Sequence, residues 1–167
     1  MKRLILMRHA KSDWSGGQSN DHDRPLNPRG RKASAALGNW LRQNDLIPDH
    51  VLCSTSIRTQ ETLLRLDLSD TMRVQLLRPL YLASAQTLLA MLQTAKGNCV
   101  LMLGHNPGIG LAAEQLVRRP PPDEQFHQYP TGATLVADFD IAQWSEATWG
   151  NAIAQHFVVP RELSAPL

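Results

Sequence analysis

Cysteine is almost missing from this chain: Cys53 and Cys99 are the two thiols in 167 residues. They lie in separate apolar runs with no CxxC spacing, which argues against a disulfide framework or a thiolate metal site and reads as packing in a reducing compartment. Long apolar stretches are missing as well. None approaches the roughly 20 residues that span a bilayer, and the run from Leu4 to Met7 falls short of the about 7 to 15 residues of a signal peptide's apolar region. A cytoplasmic protein with no membrane partner is the expectation. Neither sign of charge is in excess: 17 Lys and Arg stand against 15 Asp and Glu, a net of +2, with no basic run beyond Arg118-Arg119. That balance argues against nucleic acid as a partner. Lysine itself is scarce, four residues against thirteen Arg. Guanidinium groups grip phosphate and carboxylate oxygens in a planar, bidentate fashion, although surface replacement of Lys by Arg accounts for most of the thirteen. What is present is a 43% apolar, 19% charged composition. Such a chain folds, and its length suits one domain of about 100 to 200 residues, here 1–167.

The apolar segment Arg3 to Met7 stops at Arg8-His9, the pattern of a strand buried on both faces whose carboxyl end opens at a surface. Residues 11–29 carry Gly16-Gly17, Pro25 and Pro28 and read as a long polar loop. Loops of more than about 12 to 15 residues in a compact domain are often functional. Ala33, Ala36, Leu37, Trp40 and Leu41 recur at three and four residues, which predicts an amphipathic helix over 31–42. His50 to Cys53 is a second strand, running into Ser54-Thr55-Ser56 and a helix over 57–66 capped by one of those hydroxyls. A weaker strand over 74–77, a helix over 85–92 and a clear buried strand over 98–103 follow, the last ending in Gly104-His105-Asn106-Pro107-Gly108. A helix near 109–117, a proline-rich loop over 118–130 and strands over 133–139 and 152–159 complete an α/β pattern. Its sheet is mostly parallel with an antiparallel edge strand.

Three of these strands end in Arg8-His9, in Ser54 to Arg58 and in Gly104-His105. Ligands of parallel α/β sheets bind outside the carboxyl ends of the strands, so the three ends are placed to converge although far apart in sequence. Two guanidiniums can share the oxygens of a phosphoryl group while two imidazoles supply a nucleophile and a donor, a set that favours phosphoryl transfer. Each group alone has a plainer reading: a hydrogen-bonded surface histidine, or Arg58 in helical ion pairs with Glu61. The repeated placement at strand ends is what weakens those readings. Asp21-His22-Asp23 has the residue types of a metal site. Adjacent residues of an extended loop diverge, however, and no second cluster completes a shell.

The stretch Leu4 to Trp14, LILMRHAKSDW, resembles the opening of the histidine phosphatase superfamily, whose signature is Arg-His-Gly after the first strand. The resemblance is close to the short SixA-like branch of phosphohistidine phosphatases. Asp23-Arg24-Pro25-Leu26-Asn27-x-Arg29-Gly30, Ser54-x-x-x-Arg58-x-x-x-Thr62 and Gly104-His105-Asn106-Pro107 match in the family's order, over roughly residues 3–135. One departure is Ala10, where the superfamily usually has Gly, and its methyl narrows the backbone's approach to phosphate. The resemblance implies a three-layer α/β/α, phosphoglycerate mutase-like fold. It implies His9 as a neutral nucleophile whose other ring nitrogen is held by an acceptor, Arg8 and Arg58 on the phosphoryl oxygens, and His105, when protonated, as a third donor. No metal or other cofactor is called for.

Larger relatives place a Glu after the middle strand, yet residues 71–98 contain neither Asp nor Glu. A missing leaving-group acid fits N–P cleavage better than ester cleavage, because a phosphoramidate nitrogen leaves once it is itself protonated. Asp21 and Asp23 are the candidates to substitute; their plainer reading is a solvated loop or a pair with Arg24. Arg24 either reaches the phosphoryl group or pairs with one of these carboxylates. Lys11, Ser12 and Asn106 are further candidate phosphate ligands, and the turn Thr131-Gly132-Ala133 a candidate pocket wall. With few residues left for a covering insertion, an open site is expected, suited to a phosphohistidine-bearing protein. A small phosphorylated molecule, or a phospho-ligand held without turnover, are the alternatives.

Overall fold

The computed structural model describes residues 1–17 and 20–163. Strands β1 (Lys2–Arg8), β2 (His50–Ser54), β3 (Arg73–Leu77), β4 (Cys99–Gly104), β5 (Thr134–Phe139) and β6 (Ala152–Val158) form one sheet in the order β3-β2-β4-β1-β5-β6. The helices are α1 (Pro28–Gln43), α2 (Ile57–Leu66), α3 (Ala85–Leu92), α4 (Gly108–Leu116) and the short α5 (Pro160–Leu163). β3, β2, β4 and β1 are mutually parallel, while β5 pairs antiparallel with β1 and β6 antiparallel with β5. The antiparallel pairing expected at one flank is there, carried by two strands, with β5 inside the sheet and β6 at its edge.

Residue alternation in β1 accounts for the three layers. Side chains along a strand point to opposite faces in turn. Leu4 and Leu6 accordingly enter one apolar cluster, with Leu88 and Leu92 of α3 and Ile109, Ala112, Ala113 and Leu116 of α4. Ile5 and Met7 enter the other, with Leu37 and Leu41 of α1 and Leu66 of α2. Helices therefore cover both faces. The chain leaves β1 for α1 on one face and leaves the neighbouring β4 for α4 on the other, which opens a crevice between the carboxyl ends of these two strands. Register fixes what lines it: Arg8 stands opposite Gly104, and Cys53 of β2 opposite Leu103. His9, Ser54 and His105 thus leave the sheet along one rim.

Helix α1 begins at Pro28, three residues before the expected start, because Asn27 caps it by accepting from the Gly30 amide at 2.8 Å and Pro28 supplies a preset first position. The described residues of the loop before it include a bridge between Ser12 and Leu26 and a 3-10 turn over Asp21–Asp23. Both cysteines are free, and burial pushes the Cys53 thiol up to about 12 and the Cys99 thiol up to about 11. Among the described residues no helix is long and apolar enough to cross a membrane.

Gly38 lets α1 and α2 touch backbone to backbone: a Cβ there would lie 1.9 Å from the Leu66 carbonyl oxygen. Gly38→Ala is expected to cost about 1 to 3 kcal/mol by overpacking. In a chain of this size that lowers the thermal midpoint by roughly 2 to 12 °C, which a melt followed by circular dichroism measures.

Candidate active site

His9 is the first residue beyond β1 and is buried. Its Nδ1–H donates to the Ala10 carbonyl at 2.7 Å, which puts the lone pair on Nε2, where Arg58 Nε approaches at 3.3 Å. Burial, reinforced by the nearby His105, Arg58 and Arg8, pushes the His9 imidazole down to about 3. Ala10 is itself enclosed. Its amide donates to Thr62 Oγ1 at 3.1 Å, so its methyl faces no ligand approach through that N–H. The turn foreseen as a pocket wall braces His9 and Arg8: the Gly132 amide donates to the His9 carbonyl at 2.9 Å and the Arg8 amide to the Ala133 carbonyl at 3.0 Å.

Arg58 and Thr62, four residues apart on α2, lie on one side of that helix, and Ser54 ends β2 just before it. Ser54 Oγ accepts from His105 Nε2 at 2.8 Å, Arg58 reaches both imidazoles, and Thr62 Oγ1 donates to the Arg58 carbonyl at 2.7 Å. Helix α2 starts there because Ser56 caps it by accepting from the Thr59 amide. Glu61 pairs with Arg31 of α1 at 2.8 Å and not with Arg58, and it also accepts the Leu26 amide, which ties the loop to α2.

His105 is neutral in this arrangement. Its Nδ1 accepts from Arg58 Nη2 at 3.2 Å and its Nε2–H donates to Ser54. Burial, and after it the charge of Arg58, pushes its imidazole down to about 3. The expected third cationic donor is thus an uncharged ring in the unliganded protein, 5.3 Å between ring centroids from His9. Arg8 donates to the Tyr129 carbonyl at 3.2 Å, and its Nε is a buried donor without a hydrogen-bond partner. Native structures seldom leave such donors unmet unless a ligand, ion or water meets them.

Asp21 is the carboxylate that joins the group. It accepts from Arg58 Nη2 at 2.9 Å, from Arg24 Nη2 at 2.8 Å and from the Tyr81 hydroxyl at 2.6 Å. Partial burial favours its protonated form, but those three donors outweigh it and hold the carboxyl well below the usual range. As a proton donor it is therefore poorly suited. Asp23 lies outside the cluster, exposed, accepting from Asn20 and 3.6 Å from His22. Of the two readings for Arg24 the structure shows the ion pair, with a second bond to the Ser12 hydroxyl and its Cζ 3.5 Å from the Trp14 ring centroid. Asn106 serves the fold: it donates to the Tyr129 carbonyl and accepts the Gly110 amide. Lys11 is exposed and lines a separate groove. In the Asp21-His22-Asp23 triplet, the His22 ring binds Thr55 and the Asp21 carboxylate is taken by arginines.

Sequence reasoning missed two contributors, Tyr81 and Tyr129, and gave Ser54 no role of its own. Tyr81 follows β3, where the same rule of strand ends pointed, but the weak apolar pattern of that strand hid it. Ser54 was visible at a strand end and in a motif, but its bond to His105 was not. Tyr129, fully buried with its hydroxyl donating to the Leu6 carbonyl, offered no signal at all. Three guanidiniums and one carboxylate around two neutral imidazoles make a pocket of positive charge with a basic nitrogen in it, which suits an anionic electrophile.

Residues 4–80 match the model of the histidine phosphatase superfamily, branch 1. The uncharacterized protein Rv1276c of Mycobacterium tuberculosis is 33% identical over 162 residues, covering 93% of this chain and 100% of that protein. Among solved structures, a candidate phosphohistidine phosphatase, SixA, from Nakamurella multipartitia is 30% identical, with a TM-score of 0.84 over 95% of this chain and 96% of that one. A protein histidine phosphatase SixA complexed with tungstate shares the fold at 22% identity, with a TM-score of 0.76 over 97% and 99% of the two chains.

Both imidazoles titrate far below an exposed histidine, so lowering the pH from 7 to 5 is expected to leave their proton-bearing nitrogens unchanged in NMR spectra. The unfolded chain takes up those protons below about 6.5, so the stability they contribute is full above that value and is lost progressively toward pH 3. His105→Gln is expected to flatten the fall of the thermal midpoint between pH 7 and 4.

Proposed function

The chain belongs to the histidine phosphatase superfamily, in its short SixA-like branch, and from that premise we propose a phosphatase that works through a phosphohistidine on His9 and acts on phosphohistidine carried by another protein. One observation carries the proposal: the Ala10 carbonyl fixes the His9 proton on Nδ1 and leaves Nε2 as a free base beside Arg58. In the first step Nε2 attacks phosphorus in line, the N–P bond of the substrate breaks, and the leaving imidazole departs with its own proton. In the second, a water oxygen bonds phosphorus, the Nε2–P bond breaks, and phosphate leaves. Arg8 and Arg58 hold the phosphoryl oxygens. The dianion draws Arg58 off the His105 Nδ1 and favours a proton there, so His105 becomes a donor as charge spreads in the transition state.

The choice of an N–P substrate rests on the carboxylates. Asp21 is ionised by three donors and Asp23 faces away, so neither is set to protonate an alkoxide. The segment after β3 brings Tyr81, whose proton is committed to Asp21.

Phosphate release from a phosphohistidine-bearing protein is expected to exceed release from p-nitrophenyl phosphate under the same conditions, with an acid-labile, base-stable phosphoenzyme in between. Preference for the ester points to a small phosphomonoester, and silence on both to a phospho-ligand binding protein. His9→Ala is expected to abolish the phosphoenzyme and lower turnover by at least about a thousandfold. A general acid contributes about 10² to 10⁴ in rate. Asp21→Asn is expected to change phosphohistidine turnover by less than that, and a loss of that size would make Asp21 the acid.

A further inference from the structure

A second groove, of about 540 Å³, lies beside the pocket of His9 and is lined by Lys11, Arg29, Lys32 and Arg161 over a floor that includes Pro130, Val159 and Pro160. No carboxylate lines it among the described residues, and none of the four cations enters a salt bridge among them. Elsewhere in this protein arginines near a carboxylate do pair, as Arg3, Arg24, Arg31 and Arg58 show. Four cations along one groove, unpaired among the described residues in a chain whose net charge is only +2, are a local concentration of charge and not a general one.

The groove is built onto the site. Lys11 follows His9 by two residues, so their backbones lie within about 7 Å. Thr131, another lining residue, precedes Gly132, whose amide holds the His9 carbonyl at 2.9 Å. Gly132 has a φ of +76°, and a Cβ there would lie 2.4 Å from Pro160 Cγ, so the turn beneath the nucleophile and the groove floor are packed directly together.

We propose that this groove binds a carboxylate-rich segment of the protein that carries the phosphoryl group, docking it while the phosphorylated side chain enters the His9 pocket. The phosphorylated partner rests on the function proposed above; the binding of an acidic segment does not. The lining favours a peptide over a single-stranded nucleic acid. Bases need aromatic faces to stack on, and no aromatic residue lines the groove among the described residues, whereas its prolines, valine and alanine suit aliphatic side chains between carboxylates.

The test is fluorescence anisotropy of a labelled Glu-rich peptide, with its Gln counterpart and a single-stranded RNA of equal charge as competitors, at low ionic strength where such contacts are least screened. The Glu peptide is expected to bind the wild-type protein and the Gln peptide not. Lys32→Glu with Arg161→Glu is expected to weaken binding by at least about tenfold, about 1.4 kcal/mol, with the affinity of the His9 pocket for inorganic phosphate unchanged. The neutral pair Lys32→Gln and Arg161→Gln, expected to show a smaller loss, stands in where the reversal unfolds α5. Absence of Glu-peptide binding, binding indifferent to both variants, or tighter binding of the RNA overturns the proposal. Peptide binding without phosphatase activity leaves the groove standing and removes the function above; activity without peptide binding does the reverse.

Discussion

The guanidinium of Arg58, only 2% exposed, is the group on which the rest of the site is arranged. A buried charge is costly unless neighbours pair with it and accept its hydrogen bonds. Here Nε finds the lone pair of His9, Nη2 that of His105 and the Asp21 carboxylate, and Nη1 the Asp21 carbonyl. Each partner is fixed in turn from behind: His9 by the Ala10 carbonyl, His105 by Ser54, Asp21 by Arg24 and Tyr81. The two imidazoles are neutral largely because they are buried, and the cations beside them push the same way. Charge, tautomer and loop position are therefore consequences of one placement.

That placement follows from connectivity. Helices leave β1 and β4 on opposite faces, so the crevice between the two strand ends is the place where backbone separates and side chains enter. Arg58 arrives from the first turn of α2 because Ser54 ends β2 at the same rim and the helix begins three residues later. The antiparallel β5 matters for a different reason. Its first residues continue the turn whose Gly132 and Ala133 hold the backbone of His9 and Arg8, so the strand that departs from the parallel pattern is the one that braces His9.

The parts visible in the sequence were those with a local physical signature. Alternating and continuous apolar runs marked the strands, the spacing of Ser54, Arg58 and Thr62 marked a family motif, and polar residues at strand ends marked the rim. Side-chain partnerships were not visible, because they depend on rotamers and on which loop lies over which helix. Asp21 and Asp23 are two residues apart and chemically identical, yet one is the hub of three hydrogen bonds and the other faces outward. Asn106 sits in a family motif beside His105 but spends its amide on the Tyr129 carbonyl and the start of α4. Tyr81 needed the fold to bring the end of a weak edge strand over His105, 5.3 Å between ring centroids.

The carboxylate of Asp21 occupies, in the resting protein, donors of the guanidinium that a phosphoryl group also needs. Of the five N–H groups of an arginine, Arg58 commits all but one, so a bidentate hold on an incoming oxyanion requires an exchange of anions. The protein thus carries its own competitor. A singly charged carboxylate from solution gains little by replacing another that is already tethered, while the phosphoryl dianion of the proposed function brings twice the charge to the exchange, so the arrangement would favour the dianion over common monoanions. In the proposed reaction the same tether works in the outward direction: once phosphate leaves His9, the Asp21 side chain is placed to reclaim Arg58 and displace the product.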